Sequence, residues 1–293
     1  MKVAFIGLGV MGYPMAGHLQ KSGHDVCVYN RSEAKAQQWQ AEFSGRFATT
    51  PALTAEGCDI VFCCVGNDDD VRQVVLGAEG IFAGMPKGSI LVDHTTASAN
   101  IARELAEIAA KQGQYFLDAP VSGGQAGAEN GVLTVMVGGE KAIFDKAQPV
   151  MDAYARFSQL MGTVGSGQLA KMVNQICIAG VVQGLAEGFK FAEKAGLDPQ
   201  ALVETISKGA AGSWQMENRY KTMFAGEYDF GFAVDWMRKD LAIAFEEAKK
   251  NNVSLPMTTM VDGFYQEIQE SGGNRWDTSS LISRFKDEKS KGS

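Results

Sequence analysis

The sequence predicts two domains of different class, an α/β domain over residues 1–164 and an all-α domain over residues 165–293. In the first part, short β-branched and aromatic runs alternate with helical patterns, which is typical of a parallel sheet covered by helices. Strand patterns then stop. Between the two parts, residues 165–196 form one long helical pattern with a Gly-Ser-Gly start and an Ala-Gly end, so we expect a long interdomain helix.

Composition and charge limit the kind of partner that the protein binds. The chain has 45% hydrophobic and 21% charged residues, which is ordinary for a soluble protein. Its formal net charge of -7 argues against nucleic acid or an anionic membrane as a partner, since both attract an excess of Lys and Arg. We therefore expect a small-molecule partner.

The five cysteines lie in apolar runs and show no C-x-x-C spacing, so they are interpreted as reduced core residues of a cytoplasmic protein. Glycines and polar residues interrupt the apolar N-terminus, which does not fit a signal peptide. The long helix carries several polar residues, and we therefore expect no membrane-spanning segment.

The first motif is a glycine-rich loop between a strand and a helix. Residues 2–6 are β-branched and aromatic, and a helical pattern follows the loop to residue 23. A G-x-G-x-x-G loop at this place lets the backbone turn tightly, approach a pyrophosphate and present a helix N-terminus to it. The pattern predicts a Rossmann-type dinucleotide-binding domain. The residues predicted to bind the cofactor here are Gly7, Leu8, Gly9, Val10, Met11 and Gly12.

The second strand, Asp25–Tyr29, ends where dinucleotide folds read the adenine ribose. An acidic side chain there would bind the 2′-hydroxyl of NAD, but this chain has Asn30, Arg31 and Ser32. A guanidinium can pair with the 2′-phosphate of NADP, and Ser32 can add a hydroxyl while capping the next helix. NADP is favoured over NAD, and the alternative is that Arg31 is an ordinary surface arginine.

The strand and helix alternation continues with strands over residues 59–65 and 89–93, and helices follow capping residues at Thr50, Asn67 and Ser98. Ligands bind beyond the carboxyl ends of strands in open α/β sheets, so Val65 and Thr96 are predicted cofactor contacts. The acidic run at residues 68–70 complements a helix dipole, and we predict no metal site there.

A strand over residues 115–121 leads into Ser122, Gly123 and Gly124, a turn whose hydroxyl and backbone N–H groups suit a carboxylate. A strand over residues 132–137 and a helix over 141–154 follow. Helices are then predicted over residues 199–208, 214–224, 236–251 and 257–270, with a charged, disordered tail over residues 287–293.

The long helix carries the candidate catalytic pair. Lys171 and Asn174 are three residues apart, so they project from the same side of the helix. The alternative is a lysine that reaches solvent from a helix end and a structurally satisfied asparagine. Glycines recur every fourth residue at 180, 184 and 188, and we expect a buried helix with one face that another backbone approaches closely.

Taken together, four motifs resemble the β-hydroxyacid dehydrogenase family, which includes 3-hydroxyisobutyrate dehydrogenase and tartronate semialdehyde reductase. They are the loop at residues 7–15, Asp-Ala-Pro-Val-Ser-Gly-Gly at 118–124, Gly167 through Lys171 to Asn174, and Met-Arg-Lys-Asp-Leu at 237–241. The resemblance runs from residue 1 to about 285.

This resemblance implies roles for individual residues. The first glycine loop would bind the pyrophosphate, with Val65 and Thr96 at the nicotinamide half and Lys239 reaching the cofactor from the helical domain. Residues 122–124 would bind the substrate carboxylate, Lys171 would be the catalytic lysine, and Asn174 would orient the substrate. Homodimers or homotetramers that meet through their helical domains are also implied. The chain departs from NAD-using members at Asn30 and Arg31.

The predicted activity is reversible oxidation of a small β-hydroxyacid to its semialdehyde or keto form. The cofactor accepts the hydride, and Lys171 exchanges the hydroxyl proton as general acid or base. Of the three histidines, only His94 lies at a strand end near the predicted site. Three alternatives stay open: 6-phosphogluconate dehydrogenase, which needs a longer chain and a phosphate-binding set; imine reductase, which usually replaces the lysine; and a non-catalytic NADP-binding protein.

The sequence leaves the substrate open among 3-hydroxyisobutyrate, 3-hydroxypropionate, serine and glycerate, together with their aldehydes. Trp214, Phe232 and Trp236 are candidates for lining its pocket, although each also fits a core position. Stereochemistry, physiological direction and oligomer size are likewise left open.

Overall fold

The computed structural model describes residues 1–285, so the predicted charged tail at 287–293 lies outside the described residues. The chain divides into two compact units, of which the first is Met1–Lys171 and the second begins at Met172. The predicted boundary, after residue 164, falls at the start of the long helix. The observed division falls in the second turn of that helix.

A twisted sheet organises the first unit. Its strands are β1 (Lys2–Ile6), β2 (Asp25–Tyr29), β3 (Arg46–Phe47), β4 (Ile60–Cys63), β5 (Ile90–Asp93), β6 (Tyr115–Asp118), β7 (Val121–Ser122), β8 (Leu133–Gly138) and β9 (Ala155–Gly162). The spatial order is β3-β2-β1-β4-β5-β6-β8-β7, with β9 on β8. Strands β1 to β6 pair in parallel, whereas β8 runs antiparallel to β6 and β7. The order 3-2-1-4-5-6 is that of the Rossmann fold, which confirms the predicted fold class.

Helices cover both faces of this sheet. They are α1 (Gly12–Lys21), α2 (Glu33–Phe43), α3 (Pro51–Ala55), α4 (Asp68–Leu76), α5 (Ile81–Gly84), α6 (Ala99–Gln112), α7 (Gly124–Glu129) and α8 (Lys141–Met151). Successive strand side chains point to opposite faces, so Phe5 and Phe62 join one apolar core while Ala4 and Val61 join the other. Burial on both faces explains why the central strands are continuously apolar.

The second unit is helical. The long helix α9 (Ser166–Lys194) begins in the first unit and continues into the second, followed by α10 (Pro199–Ile206), α11 (Trp214–Ala225), α12 (Val234–Lys250), α13 (Pro256–Glu270) and a 3₁₀ helix (Thr278–Arg284). Its core includes Phe189, Met237, Tyr265 and Leu281, each at most 1% exposed. The predicted all-α class of this region is confirmed.

The structure differs from the predicted strands at two places. The predicted strand at residues 115–121 is broken into β6 and β7, because Pro120 has no backbone N–H for a ladder and the Ala119 carbonyl accepts a hydrogen bond from His94. Residues 155–162, which we did not predict as a strand, form β9 in parallel with β8. Its exposed side chains give it no apolar run to detect in the sequence.

The expectation of a buried α9 with a backbone packed on its glycine face is also wrong. Val173 and Phe191 are 61% and 73% exposed, and built Cβ atoms on Gly184 and Gly188 would meet nothing within 4 Å. Within the described residues no backbone packs on this face, because the nearest atoms to a Cβ on Gly180 belong to the Met257 side chain. The glycines instead line an open apolar groove of about 520 Å³, which we call the α9 groove.

We predicted no membrane-spanning segment, yet α9 is long and apolar enough to cross a membrane by length and composition alone. The core helix of a soluble protein can have the same length and composition. The cysteines carry free thiols, and Cys27, Cys58 and Cys63 are buried as expected. Cys177 lies on α9 and is exposed, so its predicted core position is wrong.

Candidate active site

The glycine loop between β1 and α1 has the geometry that a bound pyrophosphate needs. Gly7 has φ +95°, and a Cβ there would collide with the Cys64 carbonyl at the end of β4. A Cβ on Gly12 would collide with the Gly7 carbonyl, so this glycine permits close packing of α1 on the loop. Around Gly9, by contrast, a Cβ would meet nothing within 4 Å, which leaves open space beside bare backbone. The loop therefore fits the phosphates of a dinucleotide at the N-terminus of α1.

The residues at the end of β2 divide into two roles. Asn30 accepts a hydrogen bond on Oδ1 from the Leu8 N–H at 3.0 Å and donates from Nδ2 to the Ser32 carbonyl at 3.1 Å. Its amide thus holds the glycine loop. The Arg31 side chain is exposed at the same strand end. Ser32 occupies the N-cap position of α2 as predicted, but its hydroxyl makes no capping hydrogen bond.

Beyond β4 and β5, Val65 and Thr96 lie on adjacent loops, because these strands pair in parallel with Cys63 opposite Asp93. The loops are joined through Thr95, whose Oγ1 accepts a hydrogen bond from the Val65 N–H at 3.0 Å. The Thr95 N–H donates to Asp93 Oδ1 at 3.0 Å. Burial raises the pKa of the Asp93 carboxyl to about 7. The structure therefore brings the two predicted nicotinamide contacts to one edge of the sheet.

The predicted carboxylate loop follows β6 at the same edge. Ser122 ends β7, where it pairs with Thr134 of β8, and Gly123 and Gly124 are exposed. Both glycines have positive φ, +136° and +61°, a conformation that other residues rarely adopt. A Cβ on Gly124 would meet nothing within 4 Å, so its backbone faces open space. The loop is thus accessible to a small anion.

Lys171, in the second turn of α9, is the one buried lysine or arginine among residues 1–285, with 8% exposure. An ammonium is rarely buried in a protein unless it is paired or serves a function, because removing it from water is costly. Asn174 lies three residues further along the same helix and is partly buried.

Asn174 and Lys239, both predicted site residues, belong to one polar chain within the second unit. Asn174 Nδ2 donates to Gln175 Oε1 at 2.8 Å, and Gln175 Nε2 donates to Asp240 Oδ2 at 2.6 Å. Asp240 is 3% exposed, and its other oxygen lies 3.0 Å from Lys239 Nζ. Gln175 and Asp240 were not among the predicted site residues. Asp240 adjoins Lys239 in one of the recognised motifs, which was the signal available for it.

His94, the alternative proton-transfer residue, has both ring nitrogens occupied. Nδ1 lies 2.6 Å from the Ala119 carbonyl and therefore carries the proton, and Nε2 accepts from the Tyr154 hydroxyl at 2.8 Å. The ring is 1% exposed and stacks on Phe62. Burial lowers the pKa of His94 to about 4, so the imidazole is neutral at pH 7. These contacts make His94 a structural residue.

The aromatic candidates for a substrate pocket have mixed surroundings. Trp214 is 48% exposed and covers the Arg219 guanidinium at 4.9 Å, while Phe232 packs partly buried against the helical core. Trp236 is 38% exposed, with Lys239 Nζ 5.8 Å from its ring.

In the acidic run at residues 68–70, Asp68 accepts hydrogen bonds from the N–H and the hydroxyl of Ser98. Across residues 1–285, no cluster of three or more His, Cys, Asp or Glu side chains could hold a metal ion.

Comparison with known proteins agrees with this geometry. Residues 2–174 match the family model described as the NAD binding domain of 6-phosphogluconate dehydrogenase. Residues 165–285 match the model described as NAD-binding of NADP-dependent 3-hydroxyisobutyrate dehydrogenase. The two models together cover residues 2–285.

Similar proteins match over nearly the full chain. An uncharacterized oxidoreductase of Shewanella frigidimarina is 66% identical, covering 99% of both chains. The 2-hydroxy-3-oxopropionate reductase of Escherichia coli is 32% identical, covering 96% of both. A crystal structure of 3-hydroxyisobutyrate dehydrogenase from Salmonella typhimurium superposes with a TM-score of 0.87 at 30% identity, covering 97% of this chain and all of that one. With a Rossmann domain, a long helix and a helical region in the same order, this chain belongs to the β-hydroxyacid dehydrogenase family and is an NAD(P)-dependent oxidoreductase of the 3-hydroxyisobutyrate dehydrogenase type.

Proposed function

We propose that the protein uses NADP to interconvert a small β-hydroxyacid and its semialdehyde or keto form, with Lys171 as general acid and base. The observation that carries this proposal is the burial of Lys171, the one buried cation among the described residues, on the helix that follows the cofactor-binding sheet. His94, the alternative proton carrier, is neutral and has both nitrogens hydrogen-bonded.

When bound, the nicotinamide would supply or accept the hydride. In the reducing direction, the Lys171 ammonium would donate a proton to the carbonyl oxygen as it gains negative charge, and in the oxidising direction the neutral amine would accept the hydroxyl proton. The Ser122 hydroxyl and the backbone N–H groups of Gly123 and Gly124 would bind the substrate carboxylate. Asn174 would orient the reacting oxygen.

The preference for NADP rests on Arg31, which is exposed at the end of β2 where a carboxylate would favour NAD. Its guanidinium suits the 2′-phosphate, because it forms charge-assisted hydrogen bonds with phosphate oxygens. The description of the matching second model as NADP-dependent points the same way.

For the substrate we propose the class shared by 3-hydroxyisobutyrate, 3-hydroxypropionate, serine and glycerate with their aldehydes. The name of the Escherichia coli relative, 2-hydroxy-3-oxopropionate reductase, places one related enzyme in this chemical class. A panel of these acids and aldehydes, assayed with NADP(H) and NAD(H), would identify the best substrate and the preferred cofactor.

We further propose that the protein is a homodimer or homotetramer in which the helical regions of two copies meet at the α9 groove. The groove is lined by small and apolar residues, including Gly184, Gly188 and Phe191, and Phe191 is 73% exposed. Small residues allow a neighbouring helix to approach, and its apolar side chains would cover the exposed surface.

The proposal for Lys171 is tested by substitution. Lys171→Ala should lower turnover of the best substrate about 10²- to 10⁴-fold while NADPH binding, measured by fluorescence titration, is retained. Lys171→Arg should also be poor, since a guanidinium keeps the charge but does not readily release a proton. A folded Lys171→Ala variant that binds NADPH and keeps more than about a tenth of wild-type turnover would overturn the assignment.

A further inference from the structure

We propose that Asp118 and Gln168 are positioning residues for this reaction: they fix the first turn of α9, and with it Lys171, to the loops that carry Thr96 and Ser122. All of these residues lie in the first unit. The inference rests on the proposed role of Lys171, and neither Asp118 nor Gln168 is assigned contact with substrate or cofactor.

Asp118 ends β6 and is fully buried. Its Oδ1 accepts a hydrogen bond from the Gly165 N–H at 2.7 Å, and its Oδ2 accepts from the Gln168 N–H at 2.9 Å. These N–H groups belong to the start of α9, where a helix has unsatisfied donors and favours negative charge. The carboxylate therefore caps the helix from a strand that is distant in sequence.

Two glycines make room for this cap. A Cβ on Gly138 would collide with the Asp118 carboxylate, and a Cβ on Gly167 would lie 2.9 Å from Asp118 Oδ2. Such a separation is too short for real Cβ contacts, so either substitution would displace the carboxylate or the helix. Gly138 and Gly167 therefore allow β6, β8 and the start of α9 to approach one another closely.

Gln168 makes the second attachment and is 1% exposed. Its Nε2 donates to the Thr95 carbonyl at 2.7 Å, and its Oε1 accepts from the Ala97 N–H at 3.1 Å. The side chain therefore brackets Thr96, the predicted nicotinamide contact, on both sides. The Gln168 amide therefore attaches the loop after β5 to the first turn of α9.

The first turn of α9 is also connected to the predicted carboxylate loop, residues 122–124, and to Lys171. Asp118 lies four residues before Ser122, so the strand that caps the helix also leads into the predicted carboxylate site. Lys171 lies three residues after Gln168, which puts it one turn further along the same side of the helix. Because misplacement of a reacting group by about 1 Å can cost about 10²-fold in rate, anchoring this turn is a way to control proton transfer.

Gln114 offers a matched control for Gln168. It is another buried glutamine of the first unit, 4% exposed, and its Nε2 donates to the Phe82 and Met85 carbonyls at 3.2 and 2.7 Å. It immediately precedes β6, whereas Asp118 is the last residue of that strand. Gln114 is therefore at the end of the sheet opposite the predicted site. Loss of its hydrogen bonds should destabilise the fold without affecting catalysis.

The experiment compares Gln168→Met with Gln114→Met in the full-length protein, with kcat, substrate KM, NADPH affinity and melting temperature measured for each. Both variants should have a lower melting temperature than the wild type. We expect only Gln168→Met to lower kcat, by about 10- to 100-fold, with NADPH affinity within about threefold of wild type. Asp118→Ala should likewise lower kcat, and Asp118→Asn, which keeps one acceptor oxygen, should recover part of the loss.

Equal kcat values for Gln168→Met and Gln114→Met would overturn the inference, as would a Gln168→Met defect confined to NADPH affinity. A failure of the proposed function is recognised separately, because Lys171→Ala leaves the Asp118 and Gln168 side chains unchanged. If Lys171→Ala is active, the proposed function fails; if Lys171→Ala is inactive and Gln168→Met is not, only the positioning inference fails.

Discussion

Asn30 accepts a hydrogen bond from the Leu8 N–H at 3.0 Å, so the residue at the end of β2 supports the glycine loop. Its neighbour Arg31 is exposed at the same strand end. Asn30 thus holds the glycine loop, while Arg31 is the residue proposed to contact the 2′-phosphate of NADP. This separation makes cofactor preference testable.

Arg31→Asp should raise the KM for NADPH far more than that for NADH, because it removes a charge-assisted contact and adds repulsion to the 2′-phosphate. A hydrogen bond to a charged group contributes about 1.5–3 kcal/mol, so we expect roughly a 10- to 100-fold loss for NADPH. Asn30→Ala should weaken the binding of NADPH and NADH alike. Arg156→Ala, which alters an exposed arginine on β9, should weaken the binding of neither cofactor. A wild-type enzyme that uses NADH as well as NADPH would contradict the predicted preference.

Ser122→Ala should raise the substrate KM about tenfold while NADPH affinity stays near the wild-type value, because the hydroxyl is assigned to the substrate carboxylate. Steady-state kinetics and NADPH fluorescence titration would separate the two effects. Ser89→Ala is the control, since the Ser89 hydroxyl donates to the Pro86 carbonyl at the start of β5, the other end of the sheet. Equal losses of substrate and cofactor would show that Ser122 belongs to the cofactor site or supports folding.

Phe191→Glu should shift the protein toward monomer in size-exclusion chromatography with light scattering, because it introduces a charge into the lining of the α9 groove. Val253→Glu is the matched control: Val253 is 55% exposed and is not among the residues lining the groove. Its oligomeric state should equal that of the wild type. A wild type that is monomeric at micromolar concentration, or a Phe191→Glu variant that remains oligomeric, would rule out this interface.

Protonation of the buried His94 imidazole should destabilise the folded protein as pH falls. Its pKa is about 4 in the folded protein and about 6.5 when unfolded, so the unfolded state binds the proton first. The stabilising contribution is complete above pH 6.5 and is lost as pH falls to about 4, by about 3 kcal/mol. The stability difference between wild type and His94→Asn, from urea unfolding, should therefore shrink over this range. An NMR titration that placed the His94 pKa near 6.5 would refute the expectation.

Local signals in the sequence predicted most elements well. Thr50, Asn67 and Ser98 each accept a hydrogen bond from a backbone N–H three residues later, as predicted for helix N-caps. The apolar strands and the glycine loop were also recognisable. These features depend on residues close in sequence, where side-chain period and turn chemistry decide the conformation.

The sequence by itself thus determined the order and class of the domains, the dinucleotide loop and the family. Only the tertiary structure decided that β9 adds to the sheet, that the glycine face of α9 opens into a groove, and that Asp118 caps that helix across 47 residues. The physical reason is that strand pairing, open space beside a glycine and a carboxylate on distant N–H groups depend on which segments meet in three dimensions. The periodicity of side chains along the sequence does not show which distant segments are in contact.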